Sequence, residues 1–287
     1  MEGVTCVEIE RNGSGSMDLL AVEDPLEIRL QWEERGEARL TTIAVTMRTP
    51  GHDPELAVGF LFTEGVIAGR EQIADVRSCR AGSIRVVLAP GTSVDLTRLE
   101  RHSYTTSSCG MCGKTSASAL RLASPFPLRD RLPLLDERVI RSLPAQLREA
   151  QQGFDLTGGL HASALCDLDG RVVTVREDVG RHNALDKVIG AELLAGRLPV
   201  DERVLVVSGR VSFELVQKAL MAGIPILAAI GAPSSLAVEV ARAAGMTLLG
   251  FVRADRFNVY SGGKRITAAC QDYAAKRVVT ECTELQR

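Results

Sequence analysis

No long block of one charge sign runs through this sequence: 34 lysines and arginines stand against 36 aspartates and glutamates, for a formal net charge of −2 over 287 residues. Broad nucleic-acid binding, which relies on clustered positive charge, is therefore not expected. No apolar stretch is long enough to cross a membrane. Between Leu205 and Val252 every hydrophobic run is broken by Gly, Pro, Ser or a charge within roughly ten residues, against the roughly twenty that a spanning helix needs. The start, MEGVTCVEIERNGSGSMDLL, lacks a basic segment followed by an apolar one, so no secretory signal and a cytoplasmic location are expected. A disulfide framework is missing too. The seven cysteines are odd in number, and five are isolated at Cys6, Cys79, Cys166, Cys270 and Cys282, which fits reduced thiols.

What is present suggests a smaller β-rich α+β unit over 1–122, a linker and helix over 123–152, and an α/β unit over 153–287. In the first, β-branched runs at Thr41–Thr49 and Ser83–Ala89 read as strands. One helix interrupts them over Pro54–Ile67, with Asp53 as its N-cap, Pro54 at its first helical position and Gly65 to end it. Three prolines between Ser124 and Asp136 read as linker, followed by a polar helix near Asp136–Gln152.

From Val204 the pattern turns regular. The strand VLVVS precedes a helix over Phe213–Met221, the strand IPILAAI precedes a helix capped by Ser234 or Ser235, and MTLLGFV forms a third strand over Met246–Val252. Alternation of this kind predicts a parallel sheet, whose ligands sit at the carboxyl ends of the strands beside helix N-termini. The loops there are Ser208–Ser212, Gly231–Ser235 and Arg253–Asn258, which carry Arg210, Arg253 and Arg256. A phosphate-bearing ligand suits them.

The reactive chemistry falls in YTTSSCGMCGKTS, where Cys109 and Cys112 flank two residues in a Gly-rich segment near Lys114, a setting that favours thiolate. A half zinc site, a redox dithiol and a persulfide carrier all begin as readings of equal weight. Zinc loses ground because the four histidines, His52, His102, His161 and His182, supply no second ligand pair. A thioredoxin-like dithiol needs a βαβ setting, which a proline-rich linker does not provide. A thiol that visits a donor and then an acceptor suits a loop between units, and this favours the carrier. Two further motifs stay open. TGGLHAS places Ser163 where the His-x-Glu of zinc deaminases has its glutamate, and His161 reads equally as a hydrogen-bonded residue of a Gly-rich turn. EDVGRHNALDK gathers Asp178, Arg181, His182 and Asn183 at a helix start, either as a site or as caps and surface ion pairs.

Taken together, SSCGMCG, TGGLHAS, EDVGRHNALDK, SFELVQKA, AVEVA and FVRADRFNVYSG resemble the FdhD family of formate dehydrogenase accessory sulfurtransferases, from about Gly51 to Gly262. The resemblance implies a cytidine deaminase-like sheet in the larger unit and a homodimer. It implies transfer of sulfur from a cysteine desulfurase to the bis(molybdopterin guanine dinucleotide) molybdenum cofactor, before insertion into the formate dehydrogenase apoenzyme. By position, the resemblance implies that Cys109 is the persulfide-bearing residue and Cys112 its helper or a second carrier, while Phe251, Val252, Arg253, Ala254, Asp255 and Arg256 match the cofactor-binding stretch. No resident metal is expected. A non-enzymatic cofactor chaperone is the alternative, and a zinc deaminase-like hydrolase a weaker one. Residues 1–50 carry no matched motif.

Overall fold

The structure is a computed structural model that describes residues 2–94, 124–128 and 133–268. Strands β1 (Val4–Arg11) and β2 (Ser14–Ala21) turn through Asn12-Gly13, and β3 (Asp24–Glu34) and β4 (Glu37–Arg48) through Arg35-Gly36, with all four turn residues at positive φ. Two-residue loops of that hand match the twist of the strands they join. Strands β5 (Ile73–Arg80) and β6 (Ser83–Leu88) complete a four-stranded sheet in the order β4-β3-β6-β5, with β3 and β6 parallel. Alternation buries Leu26, Ile28, Leu30, Ile84, Val86 and Leu88.

Helix α1 (Asp53–Thr63) joins that apolar cluster through Leu56, Leu61 and Phe62. Its start differs from the sequence expectation. His52, at φ 59°, occupies the N-cap, and Asp53 is the first helical residue. Asp53 cannot cap because both its oxygens accept from the Arg48 guanidinium, each at 2.8 Å. The helix also stops at Thr63, short of Ile67, and Gly65 turns the chain at φ 72°.

Beyond β7 (Leu135–Asp136), helix α2 (Glu137–Ala150) is capped by Asp136, whose carboxylate accepts from the Arg138 N–H at 2.7 Å. A short helix, α3 (Gln152–Thr157), leads to the hairpin of β8 (His161–Cys166) and β9 (Val172–Asp178), then to α4 (Arg181–Leu194). Next come β10 (Val204–Val207), α5 (Phe213–Met221), β11 (Ile226–Ala229), α6 (Ser235–Ala243), β12 (Thr247–Gly250), β13 (Asn258–Ser261) and β14 (Ile266–Thr267), the last paired with β7. The alternation read from the sequence is thus present.

The parallel sheet, however, is parallel only at its centre. Its order is β13-β12-β11-β10-β8-β9, and β10, β11 and β12 run parallel, whereas β8 joins β10, β9 joins β8, and β13 joins β12 antiparallel. Connection length explains this: a parallel neighbour needs a crossover of about a dozen residues, and segments 167–171 and 251–257 are too short for one. The fold is therefore mixed α/β. On one face α2 contributes Ile140, Leu143 and Leu147 to a core with Ala164, Val206 and Ala228. On the other, α4, α5 and α6 pack in a core that continues through α1 to the first sheet. Residues 124–128, read as linker, lie against α5, where the Ser124 hydroxyl donates to the Leu220 carbonyl at 2.6 Å. Among the described residues no helix is long and apolar enough to cross a membrane.

Two buried ion pairs cross this core. Lys187 of α4 meets Asp178 at 2.7 Å with both side chains almost wholly buried, and also donates to the Thr49 carbonyl at 2.9 Å. Asp178 accepts in turn from the N–H of Thr49 and Gly180 and from Asn183 Nδ2. Lys218 of α5 donates to Thr63 Oγ1 at 2.8 Å, Glu64 Oε1 at 2.9 Å and both Asp186 oxygens at 3.0 Å. Filling every polar valence this way is what makes buried charge tolerable.

Candidate functional site

The carboxyl ends of β10, β11 and β12 lie on one edge, where the loops after them interlock. Gly231 donates to the Gly209 carbonyl at 3.1 Å, Phe251 donates to the Gly231 carbonyl at 3.0 Å, and Ser234 donates to the Val211 carbonyl at 2.9 Å. The fit leaves no room for a side chain at 231, since a Cβ there would lie 2.6 Å from the Gly209 oxygen.

Antiparallel pairing brings the start of β8 to the same edge. Val207 stands opposite Ser163, and Ser208 Oγ accepts from the Ala162 N–H at 2.9 Å. His161 thus begins a strand instead of sitting in a turn, and opposite it lies Asp178, three residues before Arg181, the first residue of α4. A Cβ on Gly209 would lie 3.2 Å from His161 Nδ1 and 4.0 Å from Arg181 Cδ, so the loop, the imidazole and the arginine converge. Burial first, then the charges of Arg181, His182 and Arg210, push the His161 pKa below its ordinary value, while Asp178 pulls the other way. His182 Nε2 lies 3.3 Å from Ser212 Oγ and 3.2 Å from Glu214 Oε2, and the Ser212 hydroxyl donates to Glu214 at 2.6 Å. The hydrogen bond from His182, with Ser212 and the nearby charges, outweighs burial and lowers the Glu214 carboxyl to about 2.

The Phe251–Arg256 stretch forms the lip of the edge. Phe251 takes φ 52°, which is unusual for a bulky residue, and its ring is exposed, whereas Val252 is buried. Arg253 is exposed but tied to the backbone: Nη1 donates to the carbonyls of Ile230 and Val252, each at 2.7 Å, and the Arg253 N–H closes a turn onto the Arg256 carbonyl. Arg256 is exposed and approaches Asp255 at 3.7 Å. Arg141 of α2 donates to the Asp255 carbonyl and lies over the Phe257 ring. The segment is therefore held through its backbone carbonyls, and every residue of it except Val252 is exposed.

Of the residues singled out by sequence, His161, Arg181, His182 and the Phe251–Arg256 stretch share this edge. Asp178 serves the buried pair with Lys187, which local sequence reads only as helix-surface charge. Ser163 is buried in β8 and is not available to act as a deaminase acid or base. Cys109 and Cys112 lie outside the described residues. Among the described cysteines, Cys6 and Cys79 are exposed, and Cys166 is buried with its thiol pushed up to about 12, first by burial and then by Asp167, which leaves it unreactive. No group of His, Cys, Asp and Glu able to hold a metal occurs among the described residues.

Comparison with known proteins identifies the family. The chain is 50% identical to the sulfur carrier protein FdhD of Mycolicibacterium paratuberculosis, an alignment covering 87% of this chain and 92% of that protein. It is 48% identical to the protein of the same name from Streptomyces avermitilis, covering 87% and 89%. A crystal structure from Desulfotalea psychrophila, provisionally described as a formate dehydrogenase accessory protein, superposes with a TM-score of 0.67 at 27% identity, covering 92% of this chain and 98% of that one. A model of the FdhD/NarQ family matches residues 21–267, and the chain belongs to that family.

Proposed function

We propose that this protein is a sulfur carrier that loads sulfane sulfur on Cys109 and delivers it to a nucleotide-bearing acceptor at the sheet edge. The acceptor in this reading is the bis(molybdopterin guanine dinucleotide) molybdenum cofactor, the donor is a cysteine desulfurase, and the client is formate dehydrogenase. The carrier role is supported by its relatives, which are sulfur carrier proteins by name. The observation that carries the acceptor half is the carboxyl edge itself, where three strand-end loops, two helix N-termini and several cations converge, a setting that attracts phosphate. The cytidine deaminase-like description of the sheet, the homodimer and the cytoplasmic location belong to the same reading.

The chemistry balances with the two cysteines. The Cys109 thiolate attacks the terminal sulfur of the desulfurase persulfide, forming Cys109–S–S⁻ and releasing the desulfurase thiol. The Cys112 thiolate then attacks the Cys109 sulfur. A Cys109–Cys112 disulfide forms, hydrosulfide leaves toward the acceptor, and a dithiol reductant resets the pair. Cys109 is the acceptor and Cys112 the group that releases the sulfur.

Mass spectrometry after incubation with a desulfurase and cysteine tests this directly. Wild type and Cys112→Ala gain one sulfur mass, Cys109→Ala does not, and client activation is lost in Cys109→Ala and weakened in Cys112→Ala. GDP, as a fragment of the acceptor, binds wild type, and Arg253→Ala or Arg256→Ala weakens it about tenfold to a hundredfold, the range for one charge-assisted hydrogen bond. A Cys109→Ala protein that still activates its client removes the carrier reading. GDP binding with no sulfur loading on any cysteine leaves the cofactor chaperone instead.

A further inference from the structure

Arg253, which the sequence suggests as a phosphate ligand, commits its Nη1 to the carbonyls of Ile230 and Val252. Uncommitted cations lie further along the same edge. Arg181, the first residue of α4, has its Nε buried without a hydrogen-bond partner. Neither Arg181 nor Arg210 forms an ion pair among the described residues, and two nearby carboxylates are already occupied, Asp178 by Lys187 and Glu214 by His182 and Ser212. Gly209 brings the loop against both the His161 ring and the Arg181 side chain, and it is followed directly by Arg210. The N-cap of α4 is Gly180, with no side-chain cap and no acid in the first turn.

We propose that His161, Arg181 and Arg210 form an anion subsite that takes a phosphate or diphosphate group, next to but separate from the Phe251–Arg256 lip. An anion there would neutralise two arginine charges and accept from a protonated His161. The loops connect the subsite to the lip through Gly209, Gly231 and Phe251, so one extended ligand can span both, with its nucleoside end at the exposed Phe251 ring and its phosphates at the arginines. The subsite rests on this geometry alone. Its assignment to a nucleotide rests on the reading above.

Calorimetric titration of the full chain with inorganic pyrophosphate and with GDP tests it. Wild type binds pyrophosphate, and Arg210→Gln and Arg181→Gln each weaken it about tenfold to a hundredfold, the range for one charge-assisted hydrogen bond. Arg171→Gln removes the same charge from the β8–β9 turn at the opposite edge and leaves the affinity unchanged. Arg210 is exposed, so its replacement does not depend on refolding of a buried site. If pyrophosphate fails to bind wild type, or binds Arg210→Gln as tightly, the subsite is wrong. Pyrophosphate binding that depends on Arg210 while GDP binds no tighter than pyrophosphate makes the subsite one for free phosphates. Failure of sulfur loading at Cys109 with pyrophosphate binding intact removes the carrier reading and leaves the subsite standing.

Discussion

Gly59 of α1 and Gly190 of α4 face each other where the two helices cross. A Cβ on Gly59 would lie 1.9 Å from the Asp186 carbonyl oxygen, and one on Gly190 would lie 1.9 Å from that of Glu55. Backbone touches backbone there, and this contact lets the first sheet share a core with the second. Gly59→Ala or Gly190→Ala is expected to destabilise the fold by at least the ~1–3 kcal/mol typical of overpacking, because helix backbones, not flexible side-chain ends, must separate. Urea denaturation measures it. A midpoint equal to wild type in both variants would show that the crossing tolerates a methyl group.

Lys187→Met leaves Asp178 as a buried, uncompensated carboxylate and removes the donor to the Thr49 carbonyl. The expected loss is about 3–5 kcal/mol, the usual cost of stripping one partner from a buried pair. The double variant Lys187→Met/Asp178→Asn should recover part of it, because the stranded charge is gone. A single variant as stable as wild type would mean that the pair contributes no net stability.

His161 supplies a pH dependence whose sign follows from its surroundings. Burial and the charges of Arg181, His182 and Arg210 lower its pKa against the opposite pull of Asp178. The unfolded chain therefore holds a proton on this ring where the folded chain does not, and the stability it contributes is full above the ordinary histidine value of about 6.5 and is lost as pH falls through the depressed folded value. His161→Gln should flatten the decline in stability on the acid side of neutrality, measured by denaturation at a series of pH values. In wild type, pyrophosphate should move the ring titration upward, as followed by NMR. A ring that titrates at the ordinary value with and without pyrophosphate contradicts both expectations.

The modules of the second sheet were legible because each is a short apolar run closed by Gly or capped by Ser, and local chemistry sets those limits. Ser234 caps α6 through the Ala237 N–H, as its position suggests. Strand partners were not legible, since periodicity fixes which face of a strand is buried and says nothing about the direction of its neighbour. The antiparallel entry of β8 was hidden for that reason, and with it the place of His161. Lys187 was hidden on similar grounds: it looks like surface charge in the chain, and only the Asp178 carboxylate and the Thr49 carbonyl, brought in by other segments, make it internal.

By itself the sequence determined the alternation of strands and helices in the second unit and the family motifs, because these depend on residues close together in the chain. Only the tertiary structure decided which arginine nitrogens donate to backbone carbonyls and which have no such partner. That division depends on whether a guanidinium nitrogen finds a carbonyl or carboxylate within hydrogen-bond reach. Such partners come from different loops at one sheet edge, where Arg253 finds Ile230 and Arg181 Nε finds none among the described residues.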